Sequence, residues 1–158
     1  MAEAQPAAPA AAPAGQDLAA VERLRAARGF VFDMDGTLVL GDRHNHGLAP
    51  LPGALDLTRL LRDREVPFAV LTNGTTRTPE EYAATLRALG FQLEGEQVLT
   101  PAVSALDVLA RRGQTRAMVL GTEGLAAPLE AAGIQVVPPR GRPRVDAVLA
   151  GWYRQFSM

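Results

Sequence analysis

The chain has 158 residues, 47% of them apolar, a net charge of −1 and no cysteine. That allows one domain, or a little more, with a true core. It excludes disulfides, thiol catalysis and cysteine-held zinc, leaves no basic footprint for nucleic acid, and offers no run of the ~18 apolar residues that a membrane span needs.

Residues 1–16, MAEAQPAAPAAAPAGQ, are Ala/Pro low-complexity sequence and read as a disordered tail. Their prolines interrupt the apolar run a secretory signal requires, so a cytoplasmic location is expected. From Asp17, a plausible N-cap, DLAAVERLRAA places Leu18, Val21 and Leu24 on one helical face. FVFD (30–33) is a short buried strand, and Leu40 to Pro52 a loop or small hairpin. PGALDLTRLLRDRE is an amphipathic helix with Leu55, Leu57, Leu60 and Leu61 turned inward. VPFAVLTNG is a second buried strand that runs into a polar turn. TPEEYAATLRALG has a Thr cap, Pro in the first turn, Glu at the third position and a closing Gly, a full set of helix signals. Residues 101–112 read as a helix, RAMVLG as a strand, TEGLAAPLEAAG as a helix, and IQVV and VDAVLAG as strands. Strands alternating with helices predict an α/β architecture with a largely parallel sheet.

The first strand ends on two aspartates, Asp33 and Asp35, in FDMDGTL. In a parallel α/β sheet ligands collect at the carboxyl ends of strands. Two carboxylates ~4 Å apart repel by ~4 kcal/mol at an effective dielectric near 20, so such a pair wants a cation or a shared proton. Mg²⁺ suits it, being a hard cation that takes carboxylate and phosphate oxygens. Asp33 at the strand tip can then act as nucleophile on phosphorus, and Asp35 can protonate the leaving oxygen and later activate water. Gly36 permits a sharp departure of the backbone and Thr37 offers a hydroxyl to hold the turn. A D-x-D pair alone is as readily a solvated turn; the apolar FVF before it and GTL after it make this one specific.

FDMDGTL resembles motif I of the haloacid dehalogenase superfamily, mostly Mg²⁺-dependent phosphohydrolases that work through an aspartyl-phosphate. Thr72-Asn73-Gly74, closing the second strand, resembles its motif II, where a hydroxyl and nearby backbone N–H groups bind the transferring phosphoryl group. PGALDLTRLL, LTNGTTRTPEEYAATLRALGF, VLGTEGLAAPLEAAGI and VDAVLAGWYRQFSM extend the likeness to class IIA, the branch with NagD-type, phosphoglycolate and pyridoxal phosphate phosphatases. The resemblance implies a partial Rossmann-like core, residues 17–114, followed at 115–158 by the start of an α/β cap. It also implies a small phosphorylated metabolite as substrate, no nucleic-acid or membrane partner, and a homodimer through the cap.

In the family, a lysine (motif III) and an acidic pair (motif IV) complete the site in a segment after the cap. All sixteen basic residues here are arginine, so no lysine ammonium is available, and none of the acids after Asn73 resembles the motif IV pair. The chain is therefore expected to be an N-terminal portion with little activity alone: an unpaired buried charge costs ~3–5 kcal/mol, or ~10²–10³-fold in rate. The other readings are a non-catalytic homologue that binds a phosphate ligand or a partner, and a phosphoacceptor module; Asp35, placed to activate water, argues against the last. His44-Asn45-His46 is expected to be loop with a substrate-edge role as the lesser option, Arg77 a solvated residue before a helix cap with a phosphate contact as the lesser option, Gly121-Thr122-Glu123-Gly124 a turn with Thr122 capping a helix, and Trp152, Tyr153 and Phe156 cap core or an orphaned patch, not a stacking platform.

Overall fold

The computed structural model describes residues 18–41 and 47–152. The Ala/Pro tail, Asp17 as a cap, His44-Asn45-His46, Tyr153 and Phe156 lie outside the described residues.

Helix α1 (Leu18–Arg25) precedes β1 (Phe30–Asp33), after which a small antiparallel pair, β2 (Val39–Leu40) and β3 (Ala49–Pro50), occupies the expected hairpin. Then come α2 (Ala54–Asp63), β4 (Phe68–Leu71), α3 (Pro79–Ala88), a 3-10 turn at Gly95–Gln97 and β5 (Val98–Leu99). The remainder is α4 (Pro101–Arg111), β6 (Arg116–Leu120), α5 (Glu123–Ala131), β7 (Gln135–Val137) and β8 (Ala147–Ala150). Two three-stranded parallel sheets result, ordered β1-β4-β5 and β7-β6-β8.

In the first sheet β1 and β4 run in register, Phe30 beside Phe68 through Asp33 beside Leu71. Alternation along the strands puts Phe30, Phe32, Phe68 and Val70 on one side. There they pack with Leu61 of α2 and with Tyr82, Ala83 and Leu86 of α3. Phe30 stacks on Phe32 with centroids 5.8 Å apart, and Phe32 meets Phe68 edge-on at 6.2 Å. Val31 and Leu71, on the other side, are exposed. The second sheet buries Ala117 and Val119 against Leu125 and Leu129 of α5 and Ala102 and Leu109 of α4.

Helix α3 forms as its sequence dictates. The Thr78 hydroxyl accepts from Glu81 N at 3.2 Å while the Glu81 carboxylate accepts from Thr78 N at 2.7 Å, with Pro79 at the first helical position. Helix α2 departs from the expected face: Ala54, Thr58 and Leu61 are its buried residues, and Leu57 and Leu60 are exposed. Thr58 enters the core because its hydroxyl is satisfied within the helix, donating toward Ala54 O and Leu55 O at 3.1 Å each. Leu18 and Leu24 of α1 are exposed as well, and α1 buries no residue.

Candidate active site

Asp33 closes β1, and the ladder continues one step beyond it where Met34 N donates to Leu71 O at 3.0 Å. The chain then turns sharply. Leu38 N and Val39 N both donate to Met34 O at 3.0 and 3.1 Å, and Gly36 N donates to Val39 O at 2.8 Å. Gly36 sits at φ +80°, a conformation that a side chain disfavours. Buried Met34, Leu38 and Val39 anchor this turn from below, leaving Asp33 and Thr37 exposed at the rim, and Asp35 open to solvent there but with part of its carboxyl's hydration lost to its neighbours. Thr37 makes no hydrogen bond among the described residues, so the turn is held by backbone groups and not by its hydroxyl.

The strand beside β1 delivers the second part of the site. Because Asp33 pairs with Leu71, Thr72 begins the loop one residue past it. Thr72 is 2% exposed; its N–H donates to Leu99 O at 3.0 Å, and its hydroxyl oxygen accepts from Gly74 N at 3.1 Å. The hydroxyl therefore fixes the turn through its lone pair and keeps its own proton for an acceptor. Asn73 is exposed between them, and Gly74 packs against Tyr82, where a Cβ would overlap the phenol hydroxyl.

Electrostatically the rim is acidic. The Asp35 carboxyl is raised above its ordinary 3.8, first by burial of its surroundings and then by the charge of Asp33. Neither aspartate has an ion-pair partner among the described residues. Two hard oxygen donors without an internal counter-ion fit a divalent cation. No group of three or more His, Cys, Asp or Glu side chains is assembled among the described residues. A cation there would take the remainder of its shell from water and a phosphate, as Mg²⁺ commonly does.

The other singled-out residues lie elsewhere or serve structure. The Arg77 guanidinium is 6.0 Å from the centroid of the Tyr82 ring and donates to the Thr85 hydroxyl at 3.3 Å, which turns it onto α3. Asp146 accepts from Thr115 N and Arg116 N at 3.0 and 2.9 Å, at the start of β6 and far along the fold from the strand tips. Thr122 is the N-cap residue of α5, but its hydroxyl donates to Thr75 O at 2.9 Å and makes no bond to the helix. Trp152 is exposed and not core. Two residues near the site were missed from sequence, Thr75 and Thr100. The Thr100 hydroxyl, just past β5 and beside Thr72, is buried with no partner among the described residues. Its signal was a Thr before a Pro at the start of a helix, which reads as a cap; here it makes no cap bond.

The profile of a family described as haloacid dehalogenase-like hydrolase matches residues 30–135. Chronophin of Mus musculus is 35% identical over 89% of this chain and 52% of its own length. The D-glycerol 3-phosphate phosphatase of Mycobacterium tuberculosis is 37% identical over 77% of this chain and 32% of its own. The crystal structure of glycerol phosphate phosphatase from Mycobacterium tuberculosis in complex with magnesium superposes with a TM-score of 0.68 at 33% identity, covering 83% of this chain and 37% of that one. The chain thus spans about half the length of chronophin, 52%, and less of the mycobacterial enzyme. With the family profile matched from the first strand into β7 and 89% of its length aligned to chronophin, this chain belongs to the haloacid dehalogenase-like hydrolases, class IIA.

Proposed function

We propose that Asp33 and Asp35 belong to a Mg²⁺-dependent phosphomonoester hydrolase that works through an aspartyl-phosphate on Asp33. The observation that carries this reading is the carboxylate pair Asp33 and Asp35 at the carboxyl end of β1, whose neighbour in register, β4, leads straight into the Thr72 loop. Asp33 and Asp35 would hold the metal ion, which would supply positive charge to offset that of the carboxylates and the phosphoryl group. The relative solved with magnesium supports that choice of ion.

A carboxylate oxygen of Asp33 attacks phosphorus as the bond to the ester oxygen breaks. The proton held on Asp35 goes to that leaving oxygen. The Thr72 hydroxyl proton and the backbone N–H of Asn73 stabilise the charge on the transferring phosphoryl group, while the Gly74 N–H holds the Thr72 oxygen in place. In the second half, water attacks the phosphorus of the acyl phosphate, Asp35 takes up its proton, and the released phosphate leaves Asp33 as a carboxylate. A raised Asp35 suits both half-reactions, since one group gives a proton to the leaving oxygen and then takes another from water.

The same reading treats residues 17–114 as the first part of the catalytic unit and 115–158 as the start of a cap, with α4 lending Ala102 and Leu109 to the second unit's core. A small phosphorylated metabolite as substrate, a homodimer through the cap and a cytoplasmic setting belong to it on the strength of family alone. Among the described residues no helix is long and apolar enough to cross a membrane. A second reading is binding of a phosphate ligand or a partner without turnover. Turnover of p-nitrophenyl phosphate with and without Mg²⁺ separates the readings. Slow, Mg²⁺-dependent release lost in Asp33→Asn is expected. Fast release lost in Asp33→Asn would show that these residues suffice without a lysine, and complete inactivity would favour the second reading.

A further inference from the structure

Both sheets present their carboxyl ends to one residue. Thr75 stands three positions past Thr72, and its carbonyl accepts from the Thr122 hydroxyl at 2.9 Å while its own hydroxyl accepts from Trp152 N at 2.8 Å. Thr122 follows β6 and Trp152 follows β8, and Gly151 N ties those two strand ends together by donating to Leu120 O at 2.8 Å. The partners are separated from Thr75 by 47 and 77 residues of chain. The approach is close on both flanks. A Cβ on Gly151 would come within 2.9 Å of the Thr75 hydroxyl oxygen, and one on Gly124 would overlap the backbone of Thr76 and Arg77.

We propose that Thr75 is a positioning residue that couples occupancy of the phosphate loop to the seating of the second sheet. The inference rests on the reading of Thr72–Gly74 as the phosphate-binding loop. Thr72 and Gly74 are fixed to each other by their own hydrogen bond, and Tyr82 supports Gly74 from below. Directly past Gly74 the loop meets the second sheet at Thr75, which is gripped by Thr122 and Trp152. A phosphate that orders Thr72–Gly74 therefore orders the stretch that Thr122 and Trp152 hold, and reciprocally a seated second sheet favours the binding conformation of the loop. The second unit thereby acts on affinity without touching the phosphate.

Trp152 is the only tryptophan in the 158 residues, so tryptophan emission comes from the residue whose backbone N–H is held by Thr75. Inorganic phosphate is titrated with Mg²⁺ into the 158-residue chain, followed by calorimetry and by Trp152 fluorescence, in the wild type, Thr75→Val and Thr75→Ser. The expected result is a phosphate-dependent change in Trp152 emission in the wild type and in Thr75→Ser. Thr75→Val, with the acceptor for Trp152 N–H removed, should bind phosphate about tenfold more weakly and lose the emission change. Calorimetric binding with a silent Trp152 in the wild type overturns the coupling while leaving the phosphate site standing, and so does equal affinity in a folded Thr75→Val. The wild-type emission decides the matter even where Thr75→Val proves unfolded by its thermal melt. Absence of calorimetric binding in the wild type overturns the phosphate-loop reading and the coupling with it.

Discussion

The α-carbon of Gly74 lies against the phenol of Tyr82, so that a methyl group added at residue 74 would overlap the Tyr82 hydroxyl. Tyr82 is 6% exposed, its hydroxyl lies 3.5 Å from that of Thr76, and the Arg77 guanidinium covers its ring. The loop after β4 is therefore shaped by the first turn of α3 as much as by its own sequence.

Gly74→Ala should destabilise the fold by about 1–3 kcal/mol, the usual cost of overpacking. Adding Tyr82→Phe, which removes the overlapped oxygen, should recover part of that loss. Urea denaturation of the two single variants and the double variant checks the relationship, and additive losses would refute it.

Asp35 gives a prediction with a defined sign. Its native pKa is raised, with burial the larger cause and Asp33 the smaller. NMR titration of the carboxyl should show Asp33→Asn lowering it only part of the way toward 3.8. The same shift acts on stability: a carboxyl with a raised native pKa penalises the fold once pH passes its unfolded value, and the penalty is complete above the native value. Asp35→Asn should therefore melt higher than wild type at neutral pH, and the gap should close as pH falls below the unfolded pKa. A gap that widens at low pH would mean the carboxylate is stabilised in the fold and not penalised.

Thr100 is 1% exposed, with its hydroxyl unpartnered. Thr100→Val keeps the shape and removes the unsatisfied oxygen, so it should raise stability by about 1 kcal/mol in urea melts. A loss of stability would mean that the hydroxyl has a partner in solution.

The capping box at α3 should follow the ordinary rule. Thr78→Ala should cost about 1 kcal/mol and Thr78→Ser almost nothing, again read by urea denaturation.

How far the sequence discloses these features depends on the range of the interactions. β1 and β4 are legible because apolar runs bounded by polar turns report a strand buried in a parallel sheet, and α3 because its cap, proline and glycine all lie within thirteen residues of one another. β5 has two residues, Val98 and Leu99, too few to show any period. On the inward face of α2, Leu61 is buried and Leu55 packs on the core as expected, but Leu57 and Leu60 are exposed; a hydropathy count misleads there because leucines outweigh Ala54 and Thr58, which follow the helical period with Leu61. Asp33, Asp35 and Thr72–Gly74 were legible as strand ends. The burial that raises Asp35 was not, because it depends on surrounding packing that spacing along the chain does not report. The Thr75 junction joins residues 47 and 77 positions apart through two hydrogen bonds, and a threonine in a polar turn carries no mark of either.

The account turns on whether the oxygen of Asp33 forms a bond to phosphorus. The chain is exposed to acetyl phosphate with Mg²⁺, quenched in acid and treated with borohydride, which converts an aspartyl-phosphate to homoserine that peptide mass spectrometry locates. Homoserine is expected at position 33, absent without Mg²⁺ and absent in Asp33→Asn. Homoserine at another carboxylate, or none at any position under conditions where phosphate binds, would contradict it.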